Sequence, residues 1–345
     1  MKKFKILIID DQIENIDVLK EILEDQYVIY AIKDSTKVAE FVKKNPPDII
    51  LLDIMMPEID GYELCITLKK DPLWAKIPII FITADSSIDS EEKGLKLGAV
   101  DYITKPIKPA VVRARVETHL ELYSFRKELE EKVIQRTKEI EDTKLQIIRI
   151  LGRAAEFKDN ETGMHVIRMS HYSKLIASVL SPEDKKWVDL IFKAAPMHDI
   201  GKIGIPDHIL QKEGSLDEDE WKIMKDHPNF GAKIIGDDKN ELLRLAGEIA
   251  LAHHEKYDGT GYPRGLKGKD IPLSARIITI ADVFDALTTK RPYKEAWDTQ
   301  TALQYMEKNT GKHFDPEIFA VFKSIIPQVM QIKEKYSETG INQNI

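Results

Sequence analysis

The sequence predicts a multidomain protein, in which an α/β domain with a doubly wound parallel sheet is followed by a long linker helix and then by an all-α helical bundle. Three observations lead to this prediction. Residues 1–119 alternate short apolar runs with segments of helical spacing, residues 120–150 are rich in Glu, Lys and Arg without Gly or Pro, and residues 151–345 consist mostly of amphipathic helical segments. The length of 345 residues is sufficient for this organisation.

Short apolar runs in the first domain predict the strands of its sheet. Three of these runs are Phe4–Ile9, Ile49–Leu52 and Ile79–Thr83, and shorter ones surround Val28 and Tyr102. The intervening segments have helical spacing, and helical crossovers of this kind produce a parallel sheet that is covered on both faces. Functional groups on such a sheet gather at the carboxyl ends of its strands.

Residues 120–150 predict one long helix with the seam of a coiled coil. Nine positions in it are separated by alternating steps of four and three residues, and most of them are apolar. These positions are Leu122, Arg126, Leu129, Val133, Arg136, Ile140, Thr143, Ile147 and Ile150. The pattern favours a homodimer through a parallel coiled coil. The alternative is a single solvated connecting helix, because two arginines and a threonine weaken the seam.

The bulk composition excludes several classes of protein. The net charge of −7 argues against general binding to a nucleic-acid backbone, although a local basic pocket for one small anionic substrate is compatible with it. The single cysteine, Cys65, cannot form an intramolecular disulfide, which fits a reducing compartment. The N-terminal apolar run is too short for a signal peptide, and no uncharged run approaches the roughly 20 residues that span a bilayer. We therefore expect a cytoplasmic protein without membrane insertion.

Three acidic residues follow predicted strands of the first domain. Asp10 and Asp11 come after the first strand, and Asp53 follows the run IILL. A doubly wound sheet brings these strand ends together, and clustered carboxylates bind magnesium, a hard cation that prefers oxygen. Thr83 ends the next strand and Lys105 follows the last one, where a hydroxyl and an ammonium group would stabilise an acyl phosphate.

The motifs IIDDQ, LLDIMMPEIDG, FITA and YITKP, in this order, resemble the receiver domain of two-component response regulators. The resemblance implies that a cognate sensor histidine kinase supplies a phosphoryl group to Asp53, and that Asp10, Asp11 and Asp53 hold magnesium. The residues that match the switch of this family are Thr83, Tyr102 and Lys105. Phosphorylation adds charge and acceptor oxygens to one carboxylate, to which a bistable loop responds. The alternative is a receiver-like domain that is never phosphorylated.

A second set of polar residues, scattered through the C-terminal segment, predicts a metal site. The set consists of histidines and carboxylates, and the cysteine does not belong to it. Its members are Glu161, His165, His198, Asp199, His227, His253, His254 and Asp282. Nitrogen and carboxylate oxygen without thiolate are more typical of a catalytic cluster of hydrolytic metal ions than of a structural zinc site.

Adjacent pairs within this set indicate more than one ion. His198 and Asp199 are neighbours, and neighbours on a helix diverge by about 100°, so they cannot face one centre symmetrically. One side chain can bind one ion while the carboxylate bridges to a second. His253 and His254 are also neighbours, and they too can bind to two different ions. A pair of metal ions is suited to the hydrolysis of a phosphate ester.

The motifs MHDIGKIGIPDHIL, HHEKYDGTGYP and IADVFDALTTKRPYK resemble the HD-GYP family of the HD hydrolase superfamily, over roughly residues 150–325. The resemblance implies a helical bundle that hydrolyses cyclic di-GMP to linear pGpG and/or GMP, with two or three iron or manganese ions. It assigns the whole set above as metal ligands, and Glu161, four residues before His165, takes the place of the glutamate associated with a third ion. The alternative is that Glu161 only forms a pair on a helix surface.

The resemblance also implies residues that act on the substrate. Lys202 matches a lysine that contacts the substrate phosphate or the bridging hydroxide, and with Asp199 it forms the predicted catalytic pair. Tyr262, in the GYP loop, is expected to contact the substrate, and Arg291 and Lys294 match positions that bind phosphate or guanine. Asp285, one helical turn after Asp282, is interpreted as a supporting or structural acid.

Together these patterns predict a response regulator that hydrolyses cyclic di-GMP under the control of phosphorylation. One alternative is a phosphodiesterase for another cyclic dinucleotide, such as cyclic GMP-AMP. Another is a module that binds metal or nucleotide and signals through partner contacts. Missing metal ligands would have indicated such a module, and none is missing from the sequence. Because the last receiver helix leads directly into the coiled-coil seam, phosphorylation of Asp53 could adjust access to the metal centre.

Overall fold

The computed structural model describes residues 3–85, 87–159, 163–237, 239–290 and 295–337 of the 345-residue chain. The chain divides into two compact units, of which the first ends at Lys138 and the second begins at Glu139. The first unit contains a parallel sheet and the second is helical, as the sequence predicts. Within the described residues, no helix is both long enough and apolar enough to cross a membrane.

The first unit contains a parallel five-stranded sheet with the strand order β2-β1-β3-β4-β5. Its strands are β1 (Lys5–Ile9), β2 (Val28–Ile32), β3 (Ile49–Asp53), β4 (Ile79–Thr83) and β5 (Asp101–Thr104). Its helices are α1 (Ile13–Leu23), α2 (Val38–Lys44), α3 (Gly61–Lys70), α4 (Ile88–Lys96) and the beginning of α5 (Pro109–Lys158). The doubly wound sheet of the sequence prediction is therefore confirmed.

The apolar strands of this sheet are covered on both faces, which explains why they read as continuous hydrophobic runs. One face packs against side chains of α3 such as Leu64 and Leu68, and the other against α1 and α5 through residues such as Leu19 and Val116. Strand β1 lies between β2 and β3. The chain therefore adds β2 on one side of β1 and then crosses to the other side to add β3, β4 and β5. The crevice at this reversal in strand order is where sheets of this class place their functional groups.

Helix α5 is longer than the predicted linker at both ends, because it continues without interruption from the first unit into the second. Its apolar seam residues are all exposed in the single chain. They are Leu122, Leu129, Val133, Ile140, Ile147 and Ile150. A row of exposed apolar side chains on a charged helix favours contact with a second helix, and the coiled-coil homodimer remains a prediction.

The second unit is built from helices around one apolar core. They are the end of α5, α6 (Met164–Leu180), α7 (Lys185–Ala194), α8 (Asp207–Leu210), α9 (Glu218–Met224), α10 (His227–Ile235), α11 (Glu241–Ala252), α12 (Leu273–Thr288), α13 (Thr299–Lys308), α14 (Pro316–Ser324) and α15 (Ile326–Lys335). Tyr172, Phe284 and Phe322 form an edge-to-face series in the core, and burial of each such ring contributes about 1.5–3 kcal/mol. This core holds α6 and α12 together, and both helices carry predicted metal ligands.

Candidate metal centres

The three acidic residues predicted for magnesium meet at the carboxyl edge of the first sheet. Asp10, Asp11 and Asp53 each place one carboxylate oxygen within 4.8 Å of the others. Asp10 and Asp53 are buried, and Oδ1 of Asp11 is buried without a hydrogen-bond partner among the described residues. Buried carboxylates at this spacing require a cation, so the residues present fit a magnesium ion.

Of the predicted switch residues, Lys105 contacts this cluster directly. Lys105 Nζ lies 2.7 Å from Asp53 Oδ1 and 3.3 Å from Asp10 Oδ2. Burial raises the pKa of Asp53, and the hydrogen bond from Lys105 opposes this shift. Thr83 is buried at the end of β4, and it lines a small cavity together with Tyr102. The phosphoacceptor candidate therefore lies beside an ammonium group, and Thr83 ends the neighbouring strand.

In the second unit, residues far apart in sequence converge because their helices share the core described above. His165 lies in the first turn of α6, and the pair His198 and Asp199 lies between two short 3-10 turns. The others lie at the start of α10, at the end of α11 and within α12, and they are His227, His253, His254 and Asp282. The structure thus brings together the histidines and aspartates of the predicted set.

These residues form two groups that meet at Asp199. One group contains His165, His198 and Asp282, and the other contains Asp199, His227, His253 and His254. Asp199 Oδ1 lies 3.2 Å from His227 Nε2 and 3.3 Å from His253 Nε2. Its other oxygen, Oδ2, lies 3.3 Å from His198 Nε2. One carboxylate therefore faces both groups, as expected of a bridge between two ions.

In four of the histidines, the ring nitrogen Nδ1 forms a hydrogen bond with an acceptor outside the two ligand groups. His165 Nδ1 donates to Asp285 Oδ2 at 2.9 Å, and the other three donate to main-chain carbonyls in the preceding turn, at 2.8 to 3.1 Å. These three are His198, His227 and His253. Because a neutral imidazole carries only one N–H, this arrangement leaves each Nε2 with a lone pair that points inward.

The inward-facing atoms fit metal ions because they are nearly all acceptors. His198 Nε2 and Asp199 Oδ1 are buried and have no hydrogen-bond partner among the described residues. Burial alone would raise the pKa of Asp199, but Lys202 and His198 hold this pKa well below its usual range. Metal ions between this ionised carboxylate and the imidazole nitrogens would satisfy both sets of acceptors.

Lys202 lies at the rim of this centre. Its Nζ is 2.9 Å from Asp199 Oδ2 and 2.5 Å from Asp159 Oδ2. Asp159 follows directly after α5, and Glu156 in the last turn of that helix approaches His165. The sequence analysis missed both acids. Their spacing of three residues, which places them on one face of a helix, was the only available signal.

The GYP loop lies against the second group of ligands. The ring of Tyr262 stacks on His254, with ring centroids 4.7 Å apart, and burial raises the pKa of Tyr262. Glu255 is buried and accepts hydrogen bonds from the backbone N–H groups of Arg264 and Leu266, which fixes the loop from below. The sequence analysis did not identify this role of Glu255, whose position directly after two predicted ligands was its only signal.

Asp285 contacts the first group through His165, at the ring nitrogen that faces away from the other ligands. Both of its oxygens accept hydrogen bonds from Arg168, each at 2.8 Å, and Oδ2 also accepts from His165 Nδ1. Arg168 and Asp285 are both buried. The predicted supporting acid is thus in direct contact with a candidate ligand, and Arg168 is a further partner that the sequence analysis did not single out.

Sequence models of two families match the chain. The HD domain matches residues 138–318, and the response regulator receiver domain matches residues 6–117. A protein of Vibrio cholerae named as a probable cyclic di-GMP phosphodiesterase is 39% identical, over 96% of this chain and 80% of its own length. The chain belongs to the family of receiver–HD-GYP response regulators.

Two further relatives of this receiver–HD-GYP protein differ in the substrates that their names state. The cyclic di-GMP phosphodiesterase response regulator RpfG of Xanthomonas campestris is 37% identical, over 96% of this chain and 90% of its own length. A 3'3'-cGAMP-specific phosphodiesterase of Vibrio cholerae is 41% identical, over 58% of this chain and 38% of its own length. The first of these relatives aligns with this chain over nearly the whole length of both proteins.

Three predicted site residues of the receiver–HD-GYP protein lie outside the described residues. They are Glu161, Arg291 and Lys294. Their predicted roles, at a third ion and at the substrate, therefore remain sequence-based predictions.

Gly201 allows the close packing that places His227 in the HD-GYP centre. A Cβ atom at this position would lie 1.8 Å from the carbonyl oxygen of His227 and 2.4 Å from the nitrogen of Gly231. We expect Gly201→Ala to displace α10, destabilise the protein by about 1–3 kcal/mol, and weaken metal binding by the group that contains His227. Metal titration and thermal unfolding measure both effects.

Gly247→Ala is the matched control, since a Cβ atom there meets only a methyl group of Ile235 at 3.8 Å. It should leave metal binding unchanged and, as a glycine replaced within a helix, should not lower stability. Equal metal affinity in Gly201→Ala and the parent chain would contradict the packing argument.

Proposed function

We propose that this protein is a metal-dependent phosphodiesterase that hydrolyses cyclic di-GMP to pGpG and/or GMP, under the control of phosphorylation at Asp53. The observation that carries the proposal is the pair of ligand groups that share Asp199. The names of the two relatives that share most of the chain agree with this substrate. A metal-dependent active site in the same chain as an intact phosphoacceptor cluster is what a phosphorylation-controlled hydrolase requires.

The proposed cofactors are two or three iron or manganese ions in the HD-GYP domain, and magnesium in the receiver domain. The ion ligands are the histidines and aspartates described above, and Glu161 is proposed for a third ion. Divalent ions bound there would polarise the phosphate ester, supply a nucleophile at neutral pH and stabilise the leaving oxygen. Imidazole and carboxylate ligands accept iron, manganese and zinc, so metal availability contributes to the choice among them.

The protein's own residues position the ester in this proposal. Lys202 directs an ammonium group at the rim of the centre, where it offsets the negative charge that builds up on the phosphate oxygens. Tyr262 closes one side of the pocket by stacking on His254. Arg291 and Lys294 are proposed to bind guanine or phosphate, since an arginine fork suits either partner.

The direct test is turnover of cyclic di-GMP by protein purified without oxygen and loaded with iron or manganese. We expect linear pGpG and/or GMP in chromatography of the reaction, and no product after treatment with a chelator. Absence of both products with the fully loaded protein would refute the proposed activity. Elemental analysis of the same preparation gives the identity and number of the ions.

A second candidate substrate is a mixed cyclic GMP-AMP dinucleotide. The observation that favours it is the 41% identity to the 3'3'-cGAMP-specific phosphodiesterase over the HD-GYP half of the chain. Parallel measurement of kcat/KM for the two dinucleotides decides between them, and a higher value for cyclic GMP-AMP would replace cyclic di-GMP as the substrate.

Phosphorylation of Asp53 is proposed to change the rate of hydrolysis. We expect the phosphoryl analogue beryllofluoride to change kcat by about 5- to 150-fold, the usual range of coupling between two sites. Asp53→Asn should abolish this response, because the acceptor carboxylate is lost. Asp17→Asn, a change at an exposed acid of α1, should retain it. Equal rates with and without beryllofluoride in the parent chain would contradict regulation through Asp53.

The proposal includes a homodimer through α5, a cognate sensor histidine kinase and a cytoplasmic location. The exposed apolar seam of α5 supports the dimer, and the phosphoacceptor cluster supports the kinase. Light scattering of the parent chain tests the first, with replacement of seam residues such as Val133 and Ile140 by lysine expected to yield monomers. A parent chain that is monomeric at micromolar concentration would exclude the coiled-coil dimer.

A further inference from the structure

A cluster of three cations lies over a connected group of aromatic rings in the second unit. We propose that this cationic cluster binds a small anion that carries a phosphate group. The cations come from α5, α6 and α15, and they are Arg149, Lys174 and Lys335. The proposal does not depend on the hydrolysis of cyclic di-GMP, since none of the three belongs to the metal centres.

Phe192, near the end of α7, contacts two of the three cations through its ring. Lys174 Nζ lies 4.9 Å from the centroid of this ring, and Arg149 Cζ lies 5.7 Å from it. The face of an aromatic ring attracts a cation that lies within about 6 Å of the centroid. One ring therefore holds an ammonium and a guanidinium group near each other, although they come from different helices.

His171 connects this ring to the third cation. Its ring meets Phe192 edge-on, with centroids 5.0 Å apart, and stacks on Tyr336, with centroids 4.9 Å apart. Lys335 Nζ in turn lies 5.3 Å from the centroid of Tyr336. Burial, followed by the charges of all three cations, lowers the pKa of His171 to about 4. The three positive charges therefore act on one side chain at the middle of the ring group.

Acids do not balance the charges of the cationic cluster. Within the described part of the chain, none of its three members forms an ion pair with an aspartate or a glutamate. Lys193, directly after Phe192, shows the contrast, because its Nζ lies 2.8 Å from Asp189 Oδ2 and 3.1 Å from Glu141 Oε2. Like charges that converge without a counter-charge repel one another, and a bound anion would relieve this repulsion.

The chemistry of the cationic cluster favours a phosphate group over a carboxylate. A guanidinium fork and two ammonium groups supply N–H donors in several directions, which suits a tetrahedral group with several charged oxygens. A carboxylate carries a single charge on two oxygens in one plane, so it would leave much of the positive charge unmatched. Arg149 and Lys174 are half-buried, and a compact, partly buried cluster suits a small anion better than an extended polymer.

An anion bound to the cationic cluster would join the linker helix to the helical bundle. Arg149 belongs to α5, whereas Lys174 and Lys335 belong to α6 and α15. A ligand that binds the folded chain and not the unfolded chain stabilises the fold, and the effect grows with the ligand concentration. We therefore expect phosphate to raise the unfolding temperature of the second unit.

The proposal is tested by equilibrium dialysis of the full chain with radiolabelled inorganic phosphate. We expect Arg149→Gln and Lys174→Gln each to weaken the binding of one phosphate about tenfold or more, since each removes a charged donor. Lys174→Arg should retain the affinity, because it keeps the charge. Lys308→Gln, at an exposed lysine of α13, is the matched control and should bind phosphate like the parent chain. Phosphate bound at the metal centres is common to all of these chains, so the difference from the parent measures the cationic cluster.

Thermal unfolding gives a second measurement of the same site. Phosphate should raise the unfolding temperature of the parent chain more than that of the double variant Arg149→Gln, Lys174→Gln. Without phosphate, the double variant should still unfold cooperatively and well above the temperature of the dialysis. A loss of phosphate binding then reports the site and not the fold.

Free phosphate and a small phosphate monoester offer the same group to the cationic cluster. Displacement of the labelled phosphate by glycerol 3-phosphate at a lower concentration than by unlabelled phosphate would assign the site to a monoester. The reverse order would assign it to the free ion. Acetate at the same concentrations should displace little of the label, because its charge and geometry do not match the cluster.

Parent-like phosphate affinity in either Arg149→Gln or Lys174→Gln would overturn the proposal. Absence of saturable phosphate binding by the parent chain, or equal displacement by acetate, would overturn it as well. A chain that binds phosphate through the cationic cluster but does not hydrolyse cyclic di-GMP would refute the proposed function and leave this site intact.

Discussion

Asp199→Asn should lower kcat at least a thousandfold and reduce the content of bound metal, because one carboxylate serves both ligand groups. Its Oδ1 faces His227 and His253, and its Oδ2 faces His198. The amide of asparagine has no charge and offers only one acceptor oxygen, so one group would meet an N–H donor instead of a ligand. Elemental analysis of protein purified without oxygen measures the metal, and product chromatography measures the rate.

Asp142→Asn is the control for this variant, since it makes the same chemical change at an exposed position of α5. It should retain both metal and activity. Full metal content in Asp199→Asn would show that the carboxylate does not bridge the two groups, even if activity were lost.

Asp285→Asn should destabilise the second unit by about 3–5 kcal/mol, since it leaves the buried Arg168 guanidinium without its carboxylate partner. It should also weaken metal binding, because the charged acceptor of the His165 Nδ1 hydrogen bond is lost. Denaturant unfolding followed by tryptophan fluorescence measures the first effect, as Trp187 and Trp297 pack against the core of this unit. Metal titration of the folded variant measures the second.

The double variant Arg168→Met, Asp285→Leu separates the two effects. Replacing both members of a buried ion pair by apolar residues of similar size often restores stability, so unfolding should return close to that of the parent chain. Metal affinity should stay low, because no acceptor remains for His165 Nδ1. Parent-like metal affinity in the double variant would mean that Asp285 stabilises the fold without orienting the ligand.

The sheet of the first unit could be predicted closely from sequence because its signals are local. The strand predicted at Ile79–Thr83 has those bounds in the structure, and the central strands are buried on both faces as their apolar runs require. The linker helix was underestimated, since the structure continues it from Pro109 to Lys158. Its outer turns pack within the two units. Their sequence therefore includes buried apolar residues and lacks the uniformly charged composition by which the linker was recognised.

The candidate ligands of the second unit could also be named from sequence, because adjacent His–Asp and His–His pairs are rare and chemically specific. Their division into two groups around Asp199 could not be read from spacing alone. Glu156, Asp159 and Glu255 escaped notice because each is an ordinary acid in a charged segment. Their role arises only from what lies opposite them in the folded chain.

The sequence by itself determined the residue types of both centres, the order of the domains and the helical or strand character of their elements. These properties depend on local periodicity and on the chemistry of single side chains. Only the tertiary structure decided which oxygen of Asp199 faces which histidine, which nitrogen of each imidazole points inward, and that the end of α5 reaches Lys202. Such choices depend on how separate helices pack around one core, and packing brings together residues that are distant along the chain.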